Sequence, residues 1–182
     1  KNLNSVTMPD TLTSIGEAVF AECPSLTAIT IPSSVTSIGA NTFNDCSGLK
    51  SVAFGSNNAV TGFTGVFPNG LKANIKSITL GEDVNADALV EAGSVFSDYT
   101  GLKSVELHSD SAVARFKTIF SSSLNSINSV TIGDGVETIG NAAFFQCRNL
   151  NSVTISDSVK FIEDGAFKEC HGLISISIPD SV

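Results

Sequence analysis

The sequence predicts a stacked-repeat solenoid, with a parallel β-sheet along one face and short strands and helical turns on the return path. Three observations carry this. A leading aliphatic residue recurs at Leu3, Leu26, Leu49, Ile75, Leu102, Ile127, Leu150 and Leu173, in steps of 23, 23, 26, 27, 25, 23 and 23 residues. Each leading residue is followed by an alternating V-x-I stretch. Apolar residues make up 42% of the chain and charged residues only 15%, so the apolar letters at fixed slots are enough to build a continuous core. Residues 1–182 read as a single array of about seven units plus a partial eighth, and its abrupt ends suggest a piece of a longer protein.

Each part of the unit has its own physical reason. In V-x-I the period of two gives a strand one buried face. The inward pairs are Val6/Met8, Ile29/Ile31, Val52/Phe54, Ile78/Leu80, Val105/Leu107, Val130/Ile132, Val153/Ile155 and Ile176/Ile178. Pro9, Pro32 and Pro179 end the strand, because proline offers no ladder donor. A second short extended piece carries Val35 and Ile38 and their equivalents, closed by Gly16, Gly39 or Gly140. The A-F-x-x-C stretch predicts a helical turn with Phe and Cys on its inner side. One unit cannot bury these side chains alone; stacking turns each slot into a column. The deepest column is Phe20, Phe43, Phe96, Phe120, Phe144 and Phe167.

Composition excludes several functions. A net charge of −8 disfavours nucleic acid and anionic lipid, both of which need clustered Lys and Arg. No apolar run reaches a membrane span, so no membrane insertion is expected in this segment. No catalytic or metal motif appears and no cofactor is expected. Cys23, Cys46, Cys147 and Cys170 occupy one repeat slot, which favours buried thiols over disulfides or metal ligands. His108-Ser109-Asp110 has triad residue types, but neighbours in sequence do not make a triad, and a solvated turn is expected. Cys170-His171 is expected to point apart. Glu82, Asp83, Asp87 and Glu91 lack calcium-loop spacing and predict a solvated face.

The motifs L-x-x-V/I-x-I-P, S-V-T-S-I-G and A-F-x-x-C, as in residues 26–46 and 150–170, resemble the BspA-like leucine-rich repeats of bacterial and protozoan surface proteins. The resemblance covers essentially the whole chain. Units 1, 2, 6 and 7 match closely, whereas units 3, 4 and 5 keep the leading strand and then depart. It implies a leucine-rich-repeat solenoid, an extracellular or cell-surface location, and a role in adhesion. It carries no ligand motif, so no binding residue transfers.

Candidate binding residues come from the outward strand slots. These are mostly small and hydroxylated, with Ser77, Thr79, Ser104, Thr131 and the acidic Glu106 central among them. Lys50, Lys76 and Lys103 fill one slot in three successive units and predict a cationic row at ~5 Å intervals, suited to a sulfated glycan or acidic partner. The longer middle units, residues 55–126, are where insertions could add function. In the segment from Thr61 to Gly70, either the rings of Phe63 and Phe67 both fill a widened core or one of them is exposed for a partner. The expected function is a monomeric, non-enzymatic binding or adhesion module for a protein or glycan ligand. A structural spacer presenting another domain is the alternative.

Overall fold

The structure, a computed structural model, describes residues 2–55, 66–82, 84–91, 96 and 98–182. In chain order the elements are β1 (Ser14–Ile15), β2 (Ala28–Ile31), β3 (Ser37–Ile38), β4 (Ser51–Phe54), α1 (Asn69–Lys72), β5 (Ser77–Leu80), α2 (Ala86–Glu91), β6 (Ser104–Leu107), α3 (Asp110–Ala114), α4 (Phe116–Ile119), β7 (Ser129–Ile132), β8 (Thr138–Ile139), β9 (Ser152–Ile155) and β10 (Phe161–Ile162).

The V-x-I segments pair as one parallel sheet, ordered β2-β4-β5-β6-β7-β9. The register follows the repeat letter for letter: Ala28, Ser51, Ser77, Ser104, Ser129 and Ser152 stand in one row. Along β4 to β7 the inward residues are buried and the outward ones partly exposed, as period-two alternation requires. The expectation of eight strands is corrected to six. The segments around Val6/Met8 and Ile176/Ile178 do not pair with β2 or β9, the strands beside them, and their apolar side chains stay part-exposed, Ile178 at 46%.

The return path differs between units. In the regular ones the second extended piece pairs in parallel, β1 with β3 and β8 with β10. The A-F-x-x-C stretch that follows is not helical. Two slots per unit take left-handed backbone: Ala18, Asn41, Ala142 and Gly165 at the first, Glu22, Asp45, Gln146 and Glu169 at the second, with φ between 52° and 67°. The expected helical turn fails because these amides donate to the next unit rather than within their own turn. Ala18, Phe20 and Glu22 N–H donate to Ala40, Thr42 and Asn44 C=O, and Ala142, Phe144 and Gln146 repeat this on Asp164, Ala166 and Lys168. Backbone groups must be paired somewhere, and here the neighbouring layer supplies the partner. Helices occupy the middle units, where the extra residues fold back locally. Ser109 caps α3 by accepting from Ala112 N–H at 3.2 Å.

All inward slots converge on one core. Phe20 stacks on Phe43 at 5.7 Å between ring centroids, Phe43 on Phe67 at 5.0 Å, Phe96 on Phe120 at 5.2 Å and Phe144 on Phe167 at 5.4 Å. Phe116 joins the column against Phe144 at 4.9 Å. The four cysteines are buried, and Cys46 and Cys170 each donate to the carbonyl of the phenylalanine one unit earlier, Phe20 and Phe144.

Candidate interaction surface

The parallel register places the outward strand residues of neighbouring units side by side. Ser77 stands between Ser51 and Ser104, and Glu106 between Thr79 and Thr131. The hydroxyls partly satisfy one another: Ser77 Oγ donates to Ser51 Oγ at 2.8 Å. Glu106 is held at both oxygens. Thr79 Oγ1 donates to Oε2 at 3.1 Å, and His108 Nε2 lies 3.1 Å from Oε1. Ser77, Thr79, Ser104, Glu106 and Thr131 therefore form one contiguous patch.

Lys50, Lys76 and Lys103 are likewise in a row. Lys76 N–H donates to Lys50 C=O at 2.7 Å and Lys103 N–H to Lys76 C=O at 2.8 Å, so each lysine sits one strand step from the last. All three are exposed, and Lys76 Nζ donates to Ala73 C=O at 3.2 Å. The row lies immediately before β4, β5 and β6, at the leading ends of the strands.

At the trailing ends a groove of about 360 Å³ opens, lined by Glu106, His108, Thr131, Asp134, Thr154 and Ser156 among others. The Ser156 hydroxyl donates to the Asp134 carboxylate. Sequence reasoning placed His108 in a solvated turn and missed Asp134 and Ser156. A signal was present: His108 fills the slot that holds Pro9, Pro32, Gly55, Gly81 and Gly133 in other units. Its ring lies directly over Gly133, where a Cβ would come within 2.3 Å of it.

The expected solvated turn at His108-Ser109-Asp110 is corrected. The three side chains diverge into separate structural duties. His108 pairs with Glu106, Ser109 is buried as the cap of α3, and Asp110 accepts from the amides of Glu137 and Thr138 at 2.8 and 3.0 Å. Among the described residues the one side chain bonded to the imidazole is Glu106, and the Ser156 hydroxyl is directed to Asp134 instead. The groove thus offers polar contacts rather than an activated nucleophile. Cys170 is buried, with its thiol donating to Phe144 C=O, whereas His171 is exposed. Burial pushes the Cys147 thiol up to about 11, with the neighbouring Cys170 adding to the rise and Lys117 opposing it.

Of the acidic residues after β5, Asp87 pairs with Arg115 Nε at 2.9 Å and Glu82 is exposed; Asp83 lies outside the described residues. Among the described residues no group of three or more His, Cys, Asp or Glu side chains is placed to hold a metal, and no helix is long and apolar enough to cross a membrane. In the glycine-rich stretch Phe67 is buried against Phe43, while Phe63 lies outside the described residues.

A family model described as the BspA type leucine rich repeat region matches residues 1–88 and 74–182, in six copies. No curated protein matches the chain. Among solved structures, a leucine rich cell surface protein from Faecalibacterium prausnitzii is 22% identical over 94% of this chain and 52% of its own, with a TM-score of 0.39. A leucine-rich repeat protein from Bacteroides ovatus is 23% identical over 97% of this chain and 55% of its own, at a TM-score of 0.35. The T. pallidum leucine rich repeat protein is 21% identical over 93% of this chain and 72% of its own, at 0.36. The chain spans about half the length of the first two.

Proposed function

Because the chain belongs to the BspA-type leucine-rich-repeat family, we propose that it is a non-enzymatic binding module of an extracellular or surface protein, acting through the outward face of its sheet. Ser77, Thr79, Ser104, Glu106 and Thr131 form the floor of the contact, and Lys50, Lys76 and Lys103 its cationic margin. The observation that carries this reading is the in-register sheet itself. Five parallel pairings hold the outward slots at fixed spacing, so a partner meets an already ordered surface. Little conformational entropy is then lost on association. The ligand is a protein or glycan that engages many small contacts rather than one pocket.

The test is retention of the protein on immobilised matrix proteins and glycans. Thr79→Arg and Ser104→Arg, which crowd the face without touching the core, are compared with a charge change on the exposed return path at Glu169. Loss of retention in the face variants alone is the expected result; equal retention in all of them would remove the face from the account.

A second reading, a spacer that presents another domain, draws on the pairing of Ser77 with Ser51 and Thr79 with Glu106, which spends polar groups inside the face. Failure to retain the protein on any of the immobilised ligands would favour it.

A further inference from the structure

The sheet face is electrically polarised along its strands. Lys50, Lys76 and Lys103 mark the leading ends of β4, β5 and β6. Acids mark the trailing ends: Glu82, Asp134 and Asp157 stand two residues past β5, β7 and β9, and Glu106 lies within β6. The floor between carries Ser51, Ala53, Ser77, Thr79, Ser104 and Thr131. Both signs meet at β6, with Lys103 one residue before the strand and Glu106 within it, three residues and therefore ~10 Å apart along the chain.

The acidic margin is also shaped. Thr79 and His108 hold both oxygens of Glu106, the imidazole rests on Gly133, and Ser156 holds Asp134. The groove of about 360 Å³ opens between these groups. His108 and Glu106 are the one imidazole and the one carboxylate in slots that other units fill with Pro, Gly or Ser and with Thr, Ala or Ser, and they fall in the same unit, where they pair.

We propose that this face recognises a polypeptide: an extended segment with acidic side chains over the lysine row and a lysine or arginine seated in the Glu106–Asp134 groove. This rests on the reading that the sheet face is the binding surface, and it narrows the ligand. A sulfated glycan is uniformly anionic. Seated on the lysine row it would bring its charges within ~10 Å, about one Debye length, of several carboxylates, on a chain of net charge −8. A neutral glycan would leave both margins without partners. An extended polypeptide advances ~3.3 Å per residue, so opposite charges two to four residues apart reach both margins from one backbone. Such complementarity fixes direction as well as partner.

The experiment measures binding of the 182-residue chain to short synthetic peptides at low and high salt. The peptides are acidic-then-basic, basic-then-acidic, all-acidic and all-basic; heparin and neutral oligosaccharides are the glycan arm. One mixed order is expected to bind best, and to weaken with salt. Lys103→Glu and Glu106→Lys should each weaken it about two- to fivefold, the range for exposed charge pairs. The double variant Lys103→Glu/Glu106→Lys should shift preference toward the opposite order. All of these changes lie on the solvated face, and circular dichroism verifies that each variant is folded. Equal binding of both orders overturns the proposal. Heparin binding without peptide binding overturns it too, while leaving the face as a binding surface. Failure of every probe overturns both.

Discussion

The regular outer units and the irregular middle units solve the same packing problem with different backbones. In residues 127–173 the return path is a short strand and a left-handed turn, bonded layer to layer. Between β4 and β7 the return path is helical, with α1 to α4. The sheet runs through both regions without a change of register. So does the aromatic column: Phe67, Phe96, Phe116 and Phe120 are buried as Phe43 and Phe144 are. The lesson is that the strand and the delivery of an aromatic ring to the centre are strict requirements. The route between them is free, provided its backbone groups find partners.

The strongest way to break this comparison is to delete rings in each region. Phe144→Ala removes a fully buried ring in contact with Phe116 and Phe167, and should cost roughly 3–5 kcal/mol in urea unfolding. Phe116→Ala, in a helical unit, should cost about as much, because it is equally buried and packs on the same column. A loss below about 1 kcal/mol for Phe116→Ala would show that the middle units do not share the core.

A finer test uses one slot in two contexts. Gly39 and Gly140 close the second extended piece of their units. A Cβ on Gly39 would meet the Glu17 backbone at 2.3 Å, because a regular unit lies directly beneath it. A Cβ on Gly140 would meet only the Glu163 side chain at 3.7 Å, because the unit below is helical and leaves that position open. Gly39→Ala should therefore destabilise by about 1–3 kcal/mol. Gly140→Ala should fall within about 0.5 kcal/mol of the parent. Similar losses at both glycines would mean the two contexts are not distinct.

Most of this comparison was legible in the letters. The steps of 23 against 25–27 residues separated the two regions, and the leading Leu with V-x-I placed the sheet and its outward face. The turn type was not legible. Ala18 and Ala142 carry no left-handed signal of their own; their amides bond to the next layer, a partner the letters do not show. Nor did Phe116 announce itself, since it lies four residues before the expected Phe120 and only the α4 turn brings both inward. At the candidate surface the rows of Ser77, Thr79, Ser104, Glu106 and Thr131 and of the lysines could be read directly. The groove could not, because Asp134 and Ser156 reach it from loops of different units.

The junction between the regions gives an intermediate effect. Asp110, on the first turn of α3, accepts from the Glu137 and Thr138 amides, standing in for the strand that the helical unit lacks beneath β8. Asp110→Ala should cost about 1–2 kcal/mol, within the range for hydrogen bonds to a charged acceptor at a partly solvated site. Hydrogen exchange at those two amides should speed up, with little change at Ile139, whose strand partner remains. Unchanged exchange at Glu137 and Thr138 would show that the carboxylate is not the plug.

The smallest expected effect concerns the slot three residues after the aromatic. Regular units fill it with Cys23, Cys46, Cys147 or Cys170, whereas the middle units place Tyr99 and Ser123 there. Ser123 Oγ donates to Tyr99 C=O at 3.1 Å, and Cys46 Sγ to Phe20 C=O at 3.0 Å, so both reach the unit before, at different slots. In Cys46, Ser123 and Cys170 alike, a short donor in this slot serves a backbone carbonyl of the unit before. Cys46→Ser should then change stability by less than about 1 kcal/mol, and Cys46→Ala should cost about 1 kcal/mol more than Cys46→Ser through the lost bond. A Cys46→Ser variant less stable than Cys46→Ala would refute the shared role. The thiols add a pH signature that Ser123 cannot. With the folded Cys147 raised to about 11 from a reference near 9, the unfolded chain loses its proton first as pH rises. The contribution is therefore fully present below pH 9 and is lost as pH climbs from about 9 toward 11, where the unfolded state binds fewer protons than the folded one. Cys147→Ser should flatten that part of the stability profile, and thiol labelling of the folded parent at pH 8 should proceed only through opening of the array.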